Sequence, residues 1–344
     1  MTTQKLDALR DYNGAVKSAA EILCKGGIVA VPTETVYGLG ALAFSDEAVK
    51  RIYEAKGRPA DNPLIVHVHK DYDITSLVEI TSDYAEKLAE AFLPGPLTIV
   101  YKSKGKVSPI VSCGLNTLAV RVPQSKEAQE FLKYVNLPIA APSANISKHT
   151  SPTSAMHVFQ DFNGKIPLIL DGGRCEGGIE STVLDATGKI PVILRKGLVT
   201  AEMVKKVVGE CVYADDNSAL KARSPGMKYS HYMPRSKTAL FPRDCLKQAE
   251  EYYKKAESEG IEPVFMADGE IAEKLKNDGD FKILNLGKTD REMAENLYEA
   301  LHEGESYGVI ISVELNVNTE IMLGVNNRFS KAFGGGFKFE KESK

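Results

Sequence analysis

Two hydrophobic patterns alternate along this chain. Short, nearly continuous apolar runs (IVAVP, LIVHV, LTIVY, LAVRV, LPIAA, LILDG, STVLD and VILRK) read as buried strands. Between some of them, apolar positions recur at helical spacing. Residues 13–25 put Val16, Ala20 and Leu23 on one face, with Asn13 as cap and Gly26-Gly27 as stop. Residues 45–57 turn Val49, Ile52 and Tyr53 inward and end at Gly57. Further helices are expected over 82–92, 125–134 and 200–208. Several strands follow one another without a helix, so an α/β domain with a mixed sheet is expected.

The pattern breaks between about 209 and 236, where GECVYADDNSALKARSPGMKYSHYMPR is polar and rich in turn-formers. This reads as a linker. Alternation then resumes. Residues 245–260 set Leu246, Ala249, Tyr253 and Ala256 on one helix face, and 290–303 carry Met293, Leu297 and Leu301. EPVFMA, FKILNLG and YGVIISVE read as strands of a second, smaller α/β domain.

Composition narrows the class. The 344 residues carry 43 Lys and Arg against 46 Asp and Glu, a formal net charge of -3. That argues against coating nucleic acid by bulk charge. Five scattered cysteines form no CxxC pair and fit a reducing compartment. The N-terminus has no apolar leader and no run approaches membrane-spanning length, so a cytoplasmic protein is expected.

Polar clusters interrupt the apolar pattern where strands or helices end, which is where α/β sheets build sites. VPTETVYGLG holds Thr33, Glu34, Thr35 and Tyr37; KGRPADNPL holds Lys56, Arg58 and Asn62. Lys56 and Arg58 flank a helix-ending glycine. There they can serve the helix dipole or clamp an anion. APSANISKHTSPT offers Ser143, Asn145, Ser147 and Ser151, which can close turns, bind phosphate or meet hydrated magnesium. Arg121 and Arg195 sit inside apolar strands and need partners, either a shared anion or Glu180 or Asp185. His67 and His69 share a strand face without a third metal ligand nearby. LGKT at 286–289 resembles a P-loop end, but Lys282 stands where the first glycine belongs.

VPTETVYGLG, KGRPADNPLIVHV, PGPLT, LAVRVP, PIAAPSAN, SPT, LDGG, ESTVLD, ILRKG and SPGMKYSHYMP occur in this order. Together they resemble the Sua5/YrdC family of threonylcarbamoyl-AMP synthases, in its long two-domain form. The KxR…SxN signature stands as Lys56, Arg58, Ser143 and Asn145. The resemblance implies a mixed, twisted-sheet YrdC-like catalytic domain with a concave active-site groove over 1–208. A linker or lid would follow over 209–236, then a smaller Rossmann-like α/β C-terminal domain over 237–344.

It also implies that L-threonine, bicarbonate and ATP, with Mg2+, give threonylcarbamoyl-AMP and pyrophosphate. A separate transferase complex would pass the group to tRNA beside the anticodon, with no direct tRNA binding here. Position by position, Thr35, His67, Arg121, Ser181 and the Ala141 backbone match threonine contacts. Arg58, Asn62, Thr117, Ser143, Ser151, Arg195 and His231 match nucleotide contacts, with Lys56 and Asn145 completing the signature. Lys56 and Arg58 would be the catalytic cations. Lys148 stands where the family often has glycine. Two other readings stay open: a carbamoyl-transfer enzyme of the hydrogenase-maturation kind, and a non-catalytic RNA-binding module.

Overall fold

The computed structural model describes residues 2–215, 220, 224 and 232–339. Contacts divide the chain into two units, 1–147 with 151–229 and 148–150 with 230–344. The first opens with β1 (Gln4–Asp7), α1 (Tyr12–Cys24), β2 (Val29–Val31), β3 (Gly38–Leu42), α2 (Asp46–Lys56) and β4 (Ile65–His67). It continues through β5 (Val78–Glu79), α3 (Asp83–Phe92), β6 (Leu97–Ser103), a short α4 (Pro109–Ser112), β7 (Thr117–Arg121), α5 (Lys126–Val135) and β8 (Ile139–Ala140). Then come α6 (Ala155–Phe162), β9 (Leu168–Asp171), β10 (Thr182–Asp185), β11 (Val192–Arg195), α7 (Ala201–Val208) and β12 (Val212–Tyr213).

The strands join in the order β1-β9-β2-β3-β8-β4-β7-β6-β10-β11-β12, with β5 on β6. Pairing is mixed, as expected: β4 runs parallel to β7, and β6 antiparallel to it. One core cluster joins Val16, Ala19 and Leu23 of α1 to Phe131 and Leu132 of α5 and to β2 and β9. A larger one buries Val49 and Ile52 of α2, Leu88 of α3, Val158 and Phe162 of α6 and Val204 of α7. In β4, β6 and β7, alternate side chains belong to a different, smaller cluster. Ile65, Val100, Ala119, Val183 and Leu194 form it, with Ala214 and Leu220 packed against them. His67, Thr98, Thr117 and Arg121 share the parity of those residues, so the site residues flank a small apolar floor.

Some elements exceed the sequence reading. The N-cap of α1 is Asp11, whose carboxylate accepts from Gly14 N, rather than Asn13. Strand β3 was hidden by its glycines. Helix α6 is only eight residues long, and β12 pairs with β11 inside the stretch read as a linker.

The second unit contains β13 (Lys237–Phe241), α8 (Leu246–Ser258), β14 (Pro263–Ala267), α9 (Gly269–Asp278) and β15 (Ile283–Asn285). It ends with α10 (Asp290–Gly304), β16 (Val309–Val313), α11 (Glu320–Ala332) and β17 (Phe337–Lys338). Its strands are all parallel, in the order β15-β14-β16-β13-β17. No described helix is long and apolar enough to cross a membrane.

Candidate active site

Helix α2 starts at Ser45, whose hydroxyl accepts from Ala48 N, with Asp46 and Glu47 in the first turn. It stops at Gly57, which takes the left-handed conformation at φ 58°. Its buried face carries Val49, Ile52, Tyr53 and Lys56. These are positions i, i+3, i+4 and i+7, so the helix itself drives Lys56 inward. Lys56 is only 2% exposed. Its Nζ donates to the Ser143 carbonyl at 2.6 Å and to the Asn145 carbonyl. Beyond the helix-dipole and anion-clamp readings, Lys56 is a buried stitch between the KxR and SxN segments. Ser147 N returns a bond to the Lys56 carbonyl at 2.9 Å.

Arg58 is half-buried just beyond the helix. Its Nε and Nη2 donate to the Asn62 and Pro63 carbonyls at 3.2 and 3.1 Å. Burial, then the neighbouring Arg58 charge, lowers the Lys56 pKa, while Asp161 raises it. Burial also lowers the Arg58 pKa, with Arg195 contributing in the same direction. Backbone carbonyls satisfy N–H groups without cancelling their charge, so Lys56 and Arg58 keep a positive field at this loop.

His67 and Arg121 are register partners on β4 and β7, and Thr98 is the partner of Arg121 on β6. Arg121 is not paired with Glu180 or Asp185, the alternatives the sequence left open. Its Nη2 donates to Glu34 Oε1 at 2.6 Å and its Nε to the Gly95 carbonyl at 3.3 Å. Glu180 instead accepts from the Ser151 hydroxyl at 2.6 Å, and Asp185 closes a turn onto Thr187. His67 Nδ1 lies 3.2 Å from the Ile65 carbonyl. A carbonyl only accepts, so Nδ1 carries the proton and Nε2 is left as an acceptor. Burial first, then Arg121, drives the His67 pKa down to about 3, so the ring is neutral.

The loop after β2 is equally directional. Thr33 gives its one hydroxyl proton to the Val36 carbonyl at 2.6 Å. In the 2.9 Å contact between Thr33 and Thr35 hydroxyls, Thr35 must therefore donate. Its oxygen keeps lone pairs for another donor. Ala141 N–H is used on the Ile65 carbonyl at 2.9 Å, so its own carbonyl is the group it can offer. Thr98 and Ser181 hydroxyls lie 2.8 Å apart. Arg195 Nε and Nη2 both donate to the Ser181 carbonyl, at 3.1 and 2.9 Å. Ser143 Oγ donates to Asn145 Oδ1 at 2.5 Å.

Thr117 lies at the far end of β7 from Arg121, roughly 13 Å along the strand. Two residues back from the Ile65–Ala119 pair stand Pro63 and Thr117. The threonine set thus gathers at one end of the floor. Thr117 falls at the other end. Each expected residue except His231 has a described place in the first unit; His231 lies outside the described residues.

Residues 21–197 match the Sua5/YciO/YrdC family model, which carries the description "Telomere recombination". Residues 199–334 match the model "Threonylcarbamoyl-AMP synthase, C-terminal domain". The threonylcarbamoyl-AMP synthase of Pyrococcus abyssi is 43% identical over 328 residues, covering 93% of this chain and 94% of that protein. The Bacillus subtilis enzyme of the same name is 40% identical, with 96% of each chain covered. The crystal structure of P. abyssi Sua5 complexed with L-threonine superposes with a TM-score of 0.86 at 39% identity, over 98% of this chain and all of that one. The chain belongs to the Sua5/YrdC family.

Within this Sua5/YrdC chain, sequence reasoning overlooked Thr98 and Asp161, and placed Glu34 in the first polar cluster without giving it a role. Asp161 Oδ2 accepts from Ile146 N at 2.8 Å, steadying the SxN loop. It lies on α6, the short helix that the pattern did not reveal. His69 is not a metal partner for His67: Nε2 meets Asn136 Oδ1 at 3.0 Å and Nδ1 accepts from Asp71 N. Of the expected lid, Lys228 and Tyr229 lie outside the described residues. Tyr232 does not offer an open face. It is buried in the second unit, its ring stacked on Tyr298 at 5.5 Å with Lys331 over it.

The second unit has a cavity of about 370 Å³ at the carboxyl ends of its strands, lined by Arg243, Asp268, Glu270, Glu273 and Lys288 among others. Its cations face carboxylates: Arg243 pairs with Asp268 and Glu270 at 2.6 and 2.8 Å, and Lys288 with Glu273 at 2.5 Å. In the P-loop-like LGKT, Lys288 and Thr289 N–H groups donate to Glu292 Oε2. A carboxylate already fills the place a phosphate would take.

Proposed function

We infer that this chain is an L-threonylcarbamoyladenylate synthase. It joins L-threonine, bicarbonate and ATP into threonylcarbamoyl-AMP, with release of pyrophosphate and water. The product supplies threonylcarbamoyladenosine to tRNA beside the anticodon, through a separate transferase complex. The observation that carries this reading is the hydrogen-bond complement at the Arg121 end of the floor. Thr35 Oγ1, the Ala141 carbonyl and His67 Nε2 can only receive protons there, and Arg121 can only give them. That set matches an α-amino acid with a hydroxylated side chain, ammonium to acceptors and carboxylate to guanidinium.

The chemistry follows from the same groups. The ammonium sheds a proton to solvent; its nitrogen then bonds to the bicarbonate carbon, and the hydroxyl of bicarbonate leaves as water with a second amine proton. Because the His67 pKa is held near 3, His67 orients by accepting a hydrogen bond and does not store that proton. The carbamate oxygen then attacks the α-phosphorus, and pyrophosphate leaves. Negative charge grows where Arg58 supplies positive field, so the protein's contribution is positioning and electrostatic stabilisation. Lys56 acts through the loop it stitches, holding Ser143 and Asn145 in place. Asn62, Thr117, Ser151 and Arg195 complete the nucleotide side.

Magnesium is part of this proposal. Among the described residues, no group of three or more His, Cys, Asp or Glu side chains could hold a metal. The ion would be carried by the ATP phosphates, and Ser143 and Asn145 are the hard oxygen donors this loop offers beside them. When bound, it would offset charge on the departing pyrophosphate. The cytoplasm, where ATP and bicarbonate are available, is the proposed location.

The test is pyrophosphate release from ATP, measured with each substrate omitted in turn. Turnover is expected only with L-threonine, bicarbonate and magnesium together. Equal release with glycine, or without bicarbonate, refutes the reading.

A further inference from the structure

We propose that Glu34 is the positioning residue of the amino-acid carboxylate clamp. This rests on the synthase reading and adds to it a residue that works through Arg121. Glu34 sits between the two threonines of the loop after β2, and its side chain is only 11% exposed. Both carboxylate oxygens are engaged at the end of β7. Oε1 accepts from Arg121 Nη2 at 2.6 Å, and Oε2 accepts from Gln124 N at 2.9 Å. The carboxylate is therefore anchored to backbone three residues beyond β7 and does not swing freely with the guanidinium.

Arg121 in turn is held at two points, Nη2 by Glu34 and Nε by the Gly95 carbonyl. A guanidinium has five N–H groups. Two are fixed by these contacts, which set the plane of the group and leave the Nη1 pair and the second Nη2 proton. Those remaining donors form the edge that can meet a substrate carboxylate bidentately. Without Glu34, the Gly95 contact alone holds the planar guanidinium at one point, and the group can pivot about that hydrogen bond. The edge would then be presented only part of the time. A neutral replacement at Glu34 would also leave one cation unmatched in a nearly buried setting.

The backbone of Glu34 gives an internal control. Its carbonyl accepts from Gly177 N at 2.6 Å, which ties this loop to the segment leading to Ser181. Side-chain variants keep that bond, so they isolate the carboxylate from the loop's own anchoring.

The experiment is calorimetric titration of L-threonine, and separately of ATP, into full-length wild type, Glu34→Ala, Glu34→Gln, Arg121→Met and the Glu34→Ala/Arg121→Met pair. Thermal melting checks each variant. Glu34→Ala is expected to weaken threonine binding roughly tenfold to a hundredfold, the range of one charged hydrogen bond, with ATP binding within about threefold. Glu34→Gln keeps an acceptor for Nη2 and recovers part of the loss. The pair binds threonine no more weakly than Arg121→Met alone, because Glu34 acts only through Arg121. Wild-type threonine affinity in a folded Glu34→Ala chain, additive losses in the pair, or equal losses of threonine and ATP overturn the proposal. If Glu34→Ala does not fold, Glu34→Gln carries the same comparison. A wild-type chain that does not bind L-threonine overturns the synthase reading along with it.

Discussion

Two groups of cations, one in each unit, are held in different ways. In the second, Arg243, Lys282 and Lys288 each face carboxylates. Each positive charge is balanced where it stands, and the cavity beside Arg243 and Lys288 has little call for an anion. In the first, Lys56 and Arg58 are held by backbone carbonyls. A carbonyl orients a cation but leaves its charge in place. The cost appears as the lowered Lys56 and Arg58 pKa values, caused first by burial, then by Arg58 acting on Lys56 and Arg195 acting on Arg58. An arrangement that keeps like charges together in a partly dry loop is the kind a polyanionic substrate can relieve.

The largest expected break in this comparison is Lys56→Met. It leaves two buried carbonyls without their donor, which costs about 2–5 kcal/mol, toward the lower end because the ammonium's own desolvation is relieved. Thermal unfolding of the full chain should show the first unit's transition lowered by roughly 5–15 °C. Pyrophosphate release should fall at least a hundredfold, since the SxN loop loses its stitch. Lys288→Met removes an exposed cation from a paired site. Its melting curve and turnover should match wild type. Equal effects of the two substitutions would abolish the distinction.

Arg58→Ala comes next. Arg58 is half-buried and bonded to carbonyls of its own loop, so its loss disturbs packing less than that of Lys56. Turnover should drop about tenfold to a hundredfold, with melting within a few degrees. Arg58→Lys should recover little, because a point charge does not replace a planar fork. Near-normal turnover in Arg58→Ala would remove it from the nucleotide side.

These contrasts bear on what the sequence could reveal. Buried strands were legible because apolar runs such as LIVHV and LAVRV admit few alternatives. The spacing of Lys56 with Val49, Ile52 and Tyr53 carried its inward turn, although the sequence reading stopped at Tyr53. The pairing of Arg121 was not legible. Three carboxylates were available in sequence, and only the fold decides that the Glu34 loop meets the end of β7. Strand β3 was obscured because Gly38 and Gly40 lack the side chains that mark a strand. Gly40 is fitted closely all the same: a Cβ there would stand 3.0 Å from Ile139 and 3.5 Å from the Val29 carbonyl. Helix α11 was obscured by Gly324 and the Asn326–Asn327 pair, weak helix formers inside a packed stripe. The family resemblance proposed the polar residues, and the structure supplied their hydrogen-bond partners.

A smaller effect is set by pH. The His67 pKa falls from 6.5 to about 3 on folding, so the unfolded chain binds the proton more readily. The stability from neutral His67 is fully present above about 6.5 and is lost progressively as pH falls from there toward 3. The slope is up to about 1.4 kcal/mol per pH unit within that window. His67→Gln, which cannot titrate, should flatten the acid side of the stability curve. An unchanged acid slope in that variant would assign the sensitivity to other groups.

The smallest effect concerns Lys148. It follows Ser147, whose N–H bonds to the Lys56 carbonyl, and it groups with the second unit, its own carbonyl accepting from Met233 N at 2.9 Å. Its φ is 78°, in the left-handed region that a β-carbon disfavours by about 1–2 kcal/mol. Glycine at this position removes that strain. It also frees the unfolded chain, which offsets about 0.5–1 kcal/mol. Lys148→Gly should therefore stabilise the protein by about half a kcal/mol, a rise of one or two degrees in melting. Turnover should be unchanged, since the backbone keeps the same shape and both flanking hydrogen bonds survive. Lys148→Ala removes the side chain but keeps the β-carbon and should melt like wild type. Stabilisation by alanine as large as that by glycine would show that the lysine side chain, and not the backbone conformation, is the source of strain.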